Sequence, residues 1–163
     1  TLRRTFIRRS SPEVLPKRAA SRSSRTVSAA TWRRNMRAVD TNVLVRLLAR
    51  DNLKQAAAAE SFVADGAWVS HLVLAETTWV LSTVFSRNSL QIAEAIAQLL
   101  EHEALVVQDP DVVGLALTHL RRKPALGFSD CLILEIARKA GHLPLGTFDR
   151  DLGRLDGVSK LKG

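Results

Sequence analysis

Arg37-Ala38-Val39-Asp40-Thr41-Asn42-Val43-Leu44-Val45-Arg46-Leu47-Leu48-Ala49-Arg50 changes its period part-way along. Arg37 to Val39 reads as a short strand that ends on Asp40, and Val43 to Arg50 as a helix with Leu44, Leu47 and Leu48 on one side. An acid at such a junction either caps the helix or stands at the carboxyl end of a strand, where α/β sheets gather their sites. The alternation continues downstream. Lys54 to Asp65 is an Ala-rich helix stopped by Gly66, Ala67 to Ser70 a second strand, and Leu72 to Phe85 a helix. Leu90 to Glu103 is amphipathic, with Ile92, Ile96, Leu99 and Leu100 in its apolar stripe, and Ala104 to Val107 is a third strand. After Asp109 and Pro110 another helix runs to about Arg122, where Lys123-Pro124 ends it. The next is capped by Ser129 or Asp130 and stops at Gly141; Leu143 to Thr147 is a fourth strand, and Val158 to Leu161 a candidate fifth. Strands separated by helices imply right-handed crossovers, so the expected fold is α/β: three layers, with a mainly parallel sheet of four to five strands flanked by helices.

The chain has 163 residues, 24 Lys plus Arg and 16 Asp plus Glu, for a formal charge of +8. Taken whole, that reads as a binder of nucleic acid or of an anionic surface. The excess is local. Residues 1–35 carry ten basic residues and one acid, Glu13, leaving 14 basic and 15 acidic residues for 36–163, a net of −1. Two segments follow: a basic extension over 1–35, and one domain over 36–163 with enough Ala, Val, Leu and Ile for a core. The extension has six Ser, nine Arg and no sustained apolar period, and is expected to be disordered. A transit peptide and a phosphate-gripping arm fit that composition. So does sequence lying upstream of the true start, or added for expression, because the only methionine is Met36, directly before the first strand. No apolar run approaches the roughly 20 residues of a membrane span. The single cysteine, Cys131, excludes an internal disulfide and the usual Cys-based metal sites, which suits a reducing cytoplasm.

Four carboxylates stand out. Asp40 follows the first strand; its plain alternative is an Asx turn or N-cap. Glu76 has Leu72, Val73, Trp79 and Val80 at helical spacing, so it is expected on a buried face, where an unpaired carboxylate costs several kcal/mol by rough estimate and needs a basic partner, a polar cavity or a metal. Asp130 opens a helix, where the dipole favours an acid, and Asp149 comes two residues after the fourth strand. Each has an innocent explanation: a core ion pair, a cap, a solvated turn. Cys131 is expected to be a packed residue and Asp151 a helix cap. If the four acids converge, their repulsion calls for cations, and oxygen-only donors without His or Cys favour Mg²⁺ or Mn²⁺.

Val39-Asp40-Thr41-Asn42, Leu74-Ala75-Glu76, Phe128-Ser129-Asp130-Cys131-Leu132-Ile133 and Leu145-Gly146-Thr147-Phe148-Asp149-Arg150-Asp151-Leu152 resemble, in order and spacing, the acidic motifs of PIN-domain ribonucleases, most of all the VapC-type toxins of bacterial toxin-antitoxin pairs. The resemblance covers 36–163 and none of 1–35. It implies a PIN-like nuclease domain and a metal-dependent endoribonuclease, with Asp40, Glu76, Asp130 and Asp149 forming an acidic pocket for Mg²⁺ or Mn²⁺. Asp40 and Asp130 would be direct ligands. Glu76 and Asp149 would complete the site, with Asn42 and Thr147 orienting ligands or phosphate. It further implies a homodimer held inactive by a cognate antitoxin protein.

A domain of net −1 that cuts RNA needs basic groups around its pocket. Arg46, Arg50 and Arg150 are candidates for contacting RNA, as are Arg121-Arg122-Lys123 and Arg154; a solvated surface charge is the plain alternative for each. His71, His102, His119 and His142 show no metal-site or catalytic spacing and read as surface or loop residues, while Trp68 and Trp79 read as core. The competing class of function is a non-catalytic PIN-like module that binds RNA or protein. A phosphotransferase using Asp40 as nucleophile is more remote, because the position two residues later is Asn42.

Overall fold

A computed structural model describes residues 36–163, so the expectation for the basic extension 1–35 lies outside the described residues. The chain alternates strands and helices in the order β1 (Arg37–Ala38), α1 (Thr41–Ala49), α2 (Leu53–Val63), β2 (Ala67–Val69), α3 (His71–Thr83), α4 (Ser89–Glu101), β3 (Leu105–Val107), α5 (Pro110–Arg122), α6 (Phe128–Lys139), β4 (Leu145–Thr147), a 3₁₀ turn (Leu152–Arg154) and β5 (Val158–Lys160). The fold is α/β, and every strand pairing is parallel. Five short strands form two hydrogen-bonded groups, β1-β2-β3 and β4-β5.

Helix starts follow local chemistry. Asp40, Asn52, Ser70 and Asn88 each accept a hydrogen bond from the backbone N–H three residues on, satisfying a donor that the first turn leaves free. Asn88 and Gln91 complete a reciprocal capping box at α4. At the other end of α2, Gly66 takes φ 98, a conformation that side-chain-bearing residues rarely adopt.

In the three-stranded group, Val39, Ala67, Val69, Leu105 and Val107 are buried in a core shared with Leu44 and Leu47 of α1, Leu74 and Leu81 of α3, Ile96 and Leu99 of α4, Val113, Ala116 and Leu120 of α5 and Leu132 of α6. The opposite row, Ala38, Trp68 and Val106, lies side by side in register and remains partly exposed. The second face of this group is therefore more thinly covered than helices on both sides would make it, and Trp68 is not the core residue its strand pattern suggests.

Helix α3 departs furthest from expectation. Its buried stripe is Leu74, Thr77, Thr78 and Leu81, and Leu72 (77% exposed), Glu76 and Trp79 (64% exposed) lie on the open side. Glu76 is not on the buried face, and Trp79 is not in the core. The helix is apolar nearly all round, so hydrophobic spacing alone could not choose which side packs. The two threonines settle the choice by donating to the carbonyls of Val73 and Ala75 within the helix, which lets them be buried with satisfied hydroxyls.

Candidate active site

Asp40, Glu76, Asp130 and Asp149 reach their positions by different local routes. Asp40 sits between β1 and α1, and its Oδ1 accepts the Val43 N–H at 3.0 Å. The capping role and a ligand role are compatible, because the cap engages one oxygen and the residue remains exposed. Glu76 projects from the second turn of α3, and its Oε2 accepts a short hydrogen bond from the buried hydroxyl of Thr41. Thr41 follows Asp40 directly, so this bond joins the end of β1 to α3 and ties the first two acids into one local structure.

Asp130 is not the helix cap. Gly127 occupies that position without a side-chain bond, and Asp130 lies in the first turn of α6, partly buried, next to the fully buried Cys131. A side-chain carbon placed on Gly127 would come within 2.8 Å of the Asp130 Oδ2, so the carboxylate folds back over bare glycine backbone. Burial, together with the Asp130 charge beside it, pushes the Cys131 thiol up to about 11, which keeps it protonated and unreactive as packing material.

Asp149 performs the capping expected of Asp151. Its Oδ1 accepts from the N–H groups of Asp151 and Leu152 at 2.8 and 2.6 Å, while its own N–H donates to Thr147 Oγ1 at 3.0 Å. Thr147 thus fixes the acid through the backbone. Asp151 instead pairs with Arg154. Asn42 is exposed and makes no side-chain hydrogen bond among the described residues.

The candidate basic rim divides. Arg46 is engaged by both oxygens of Asp51, and Arg50 by Glu60. Arg150 is exposed and has no ion-pair partner among the described residues, which leaves it the freest of the three to meet a phosphate.

A second polar cluster, not among the candidates from the sequence, lies between α5 and α6. Glu135 of α6 is 2% exposed, and its Oε1 accepts from Arg138 Nε at 3.3 Å and lies 2.9 Å from His119 Nε2 of α5. Arg138 Nη2 also donates to the carbonyl of Asp156 at 2.7 Å, tying α6 to the turn before β5. His119 is therefore a partner inside the α5–α6 interface, not a surface residue. The signal was available: Glu135 falls four residues after Cys131 and three after Leu132, on the apolar side of its helix.

A family model of the PIN domain matches residues 37–158, spanning β1 to the start of β5. The chain belongs to the PIN domain family. No curated protein matches it significantly, and neither does any solved structure. The family is one of nuclease-type folds that use divalent metal ions, and the PIN domain here offers a donor set suited to such ions: carboxylate and hydroxyl oxygens at strand ends and helix starts, without thiolate or imidazole. Among the described residues no three acidic, His or Cys side chains stand together closely enough to hold an ion. Thr41–Glu76 is the contact that joins two of the motifs directly. No helix among the described residues is long and apolar enough to cross a membrane.

Proposed function

We propose that the chain is a metal-dependent endoribonuclease that hydrolyses RNA phosphodiester bonds, and that it acts as the toxin of a toxin-antitoxin pair. The carrying observation is the PIN family match over a chain that retains an acid in each of four motifs: Asp40 at the end of β1, Glu76 bound to Thr41, Asp130 in the first turn of α6, and Asp149 after β4. Mg²⁺ or Mn²⁺ would be held by Asp40 and Asp130, with Glu76 and Asp149 completing the shell. When bound, such an ion makes a water nucleophilic near neutral pH and offsets the charge that grows on the phosphorus.

The protein's own part is to hold oxygen donors in place. Asp40 keeps one oxygen on the Val43 amide and would have the other for the ion. Thr41 limits the swing of Glu76, and the N–H groups of Asp151 and Leu152, donating to Oδ1, do the same for Asp149. The open apolar stripe of α3, with Leu72 and Trp79, supports a homodimer or an antitoxin contact, since exposed apolar stripes favour protein partners. Purified protein freed of any partner should cleave single-stranded RNA with Mn²⁺ and stop on chelation. Failure to cleave any RNA under those conditions overturns the reading. The second reading, a PIN module that binds RNA or protein without cutting, is favoured by the lack of three gathered ligands among the described residues.

Two supporting residues give sharper tests. Thr41→Val keeps the buried shape and removes the donor to Glu76, so the protein should melt near the parent temperature while Mn²⁺ affinity falls about 10-fold or more, the usual effect of losing a group that orients a ligand. Gly127→Ala introduces a carbon where Asp130 Oδ2 now lies. The carboxylate is the flexible partner and will swing away, so weaker Mn²⁺ binding by calorimetry is expected with an unchanged fold. Unaltered Mn²⁺ affinity in both variants would remove Thr41 and Gly127 from the account.

A further inference from the structure

We infer that Phe148 is a stacking platform for one unpaired nucleobase of a single-stranded RNA, with Arg150 beside it on the backbone phosphate; this rests on the ribonuclease reading and names a subsite within it. Phe148 lies between Thr147 and Asp149, immediately after β4, and its side chain is 70% exposed, the most open aromatic among the described residues. A single exposed apolar side chain is ordinary on a protein surface. The rigidity of its setting is not.

The Thr147 carbonyl accepts the Leu161 N–H at 2.7 Å, and the Thr147 hydroxyl accepts the Asp149 N–H at 3.0 Å. On the other side, Asp149 holds the N–H groups of Asp151 and Leu152 through its carboxylate and that of Gly153 through its carbonyl, at 2.8, 2.6 and 3.1 Å. Both neighbours of Phe148 are thus bonded into the β4–β5 unit, and the backbone that carries the ring is fixed. An aromatic ring held in water on a fixed turn loses little freedom when a flat partner lands on it, which is what base stacking requires.

The neighbours suit the same occupant. Gly146, two residues before Phe148, leaves a place that the half-exposed Leu161 side chain occupies, an apolar neighbour on that side, and Arg150, two residues after Phe148, is exposed with no ion-pair partner among the described residues. An open π face with an exposed guanidinium two residues along the chain suits the pairing by which single-stranded nucleic acid is held without a duplex, the ring taking a base and the cation a phosphate. Asp149 is the next residue in the chain, so a base stacked on Phe148 belongs to a nucleotide adjoining the acidic edge. The other open aromatics are placed differently. Trp79 belongs to the apolar stripe of α3, and the Phe62 ring is already covered by the Arg37 guanidinium at 4.3 Å.

The test combines Phe148→Ala, Phe148→Leu and Phe148→Trp with a short RNA carrying one abasic residue, moved along the strand. Binding is read by fluorescence anisotropy with Ca²⁺ in place of Mn²⁺, and cleavage with Mn²⁺. The Ala and Leu variants should each bind intact RNA about 10-fold or more weakly, the range expected for one lost stacking contact, while Trp stays near the parent. At one abasic position the parent should lose the same factor and the Ala variant nothing further. Equal affinity of the Leu variant and the parent, or an abasic penalty that persists at every position in the Ala variant, overturns the stacking role. A change in molecular mass of the Ala variant with unchanged RNA affinity also overturns it and assigns the ring to a protein contact. If the parent binds RNA with the Phe148 signature but never cleaves it, the subsite stands and the nuclease reading falls.

Discussion

Asp40→Asn and Asp130→Asn are expected to abolish metal-dependent RNA cleavage, each by roughly 10³-fold or more, with melting temperatures close to the parent. The size follows from the several kcal/mol of transition-state charge that a bound ion offsets and from a factor of ten in rate for each ~1.4 kcal/mol. The structure makes Asn a clean probe at position 40. The cap of α1 uses Oδ1 to accept the Val43 N–H, and an Asn side-chain oxygen caps a helix about as well as that of Asp, so the fold keeps its bond and loses only the charge. At position 130 no side-chain cap bond is at stake, and the cost is the interaction of one charge with the start of α6, about 0.3–1 kcal/mol. Circular dichroism and a melting curve check the fold, and cleavage of a labelled single-stranded RNA with Mn²⁺ checks the chemistry. Variants that cleave at the parent rate would remove both residues from the site.

The second large effect falls on stability. Glu135→Ala should cost about 2 kcal/mol, because it empties a buried position and leaves the partly exposed His119 and Arg138 without their acceptor. His119 and Arg138 lose their shared acceptor, and Arg138 is left to anchor the Asp156 carbonyl alone. Glu135→Gln keeps one acceptor oxygen and the side-chain volume, so a smaller loss is expected. Urea unfolding monitored by tryptophan fluorescence separates the two. An Ala variant within about 0.5 kcal/mol of the parent, the usual range for surface substitutions, would show that the cluster does not hold α5 to α6.

The acids at strand ends were legible because strand-to-helix junctions leave a signature in the sequence: an apolar run, a short polar residue, then a change of period. Asp40 and Ser70 conform, Asn52 and Asn88 do the same work between consecutive helices, and the structure uses each as a cap. The failures share a cause. The side of α3 that packs depends on which neighbours arrive, and a helix with Leu72, Val73, Leu74, Trp79, Val80 and Leu81 offers an apolar residue to almost any of them. The criterion that placed Glu76 on a buried face, an acid among apolar residues at helical spacing, applies with more force to Glu135 on α6. There the basic partners are Arg138, one turn along the same helix, and His119, sixteen residues away, which periodicity does not connect. The exchange of capping roles between Asp149 and Asp151 was also out of reach, since two acids in one short turn carry the same local preference. No local pattern marks Thr41, because its work lies across the fold, on Glu76.

The partition of charge gives the site its character. The +8 of the whole chain belongs to residues 1–35, and the PIN domain itself is close to neutral. Under the proposed function, RNA affinity in the domain would rest on metal ions, on a few free cations such as Arg150, and on stacking, and not on a basic surface. Arg46 and Arg50, already paired with Asp51 and Glu60, supply less than their positions on α1 suggest.

The most direct measurement is the position of Mn²⁺ in a crystal of this protein, located by anomalous scattering. The expected result is an ion bound by carboxylate oxygens of both Asp40 and Asp130, with Glu76 or Asp149 in direct or water-bridged contact. Mn²⁺ bound elsewhere, or Asp40 and Asp130 too far apart to share even a bridging water, would contradict it.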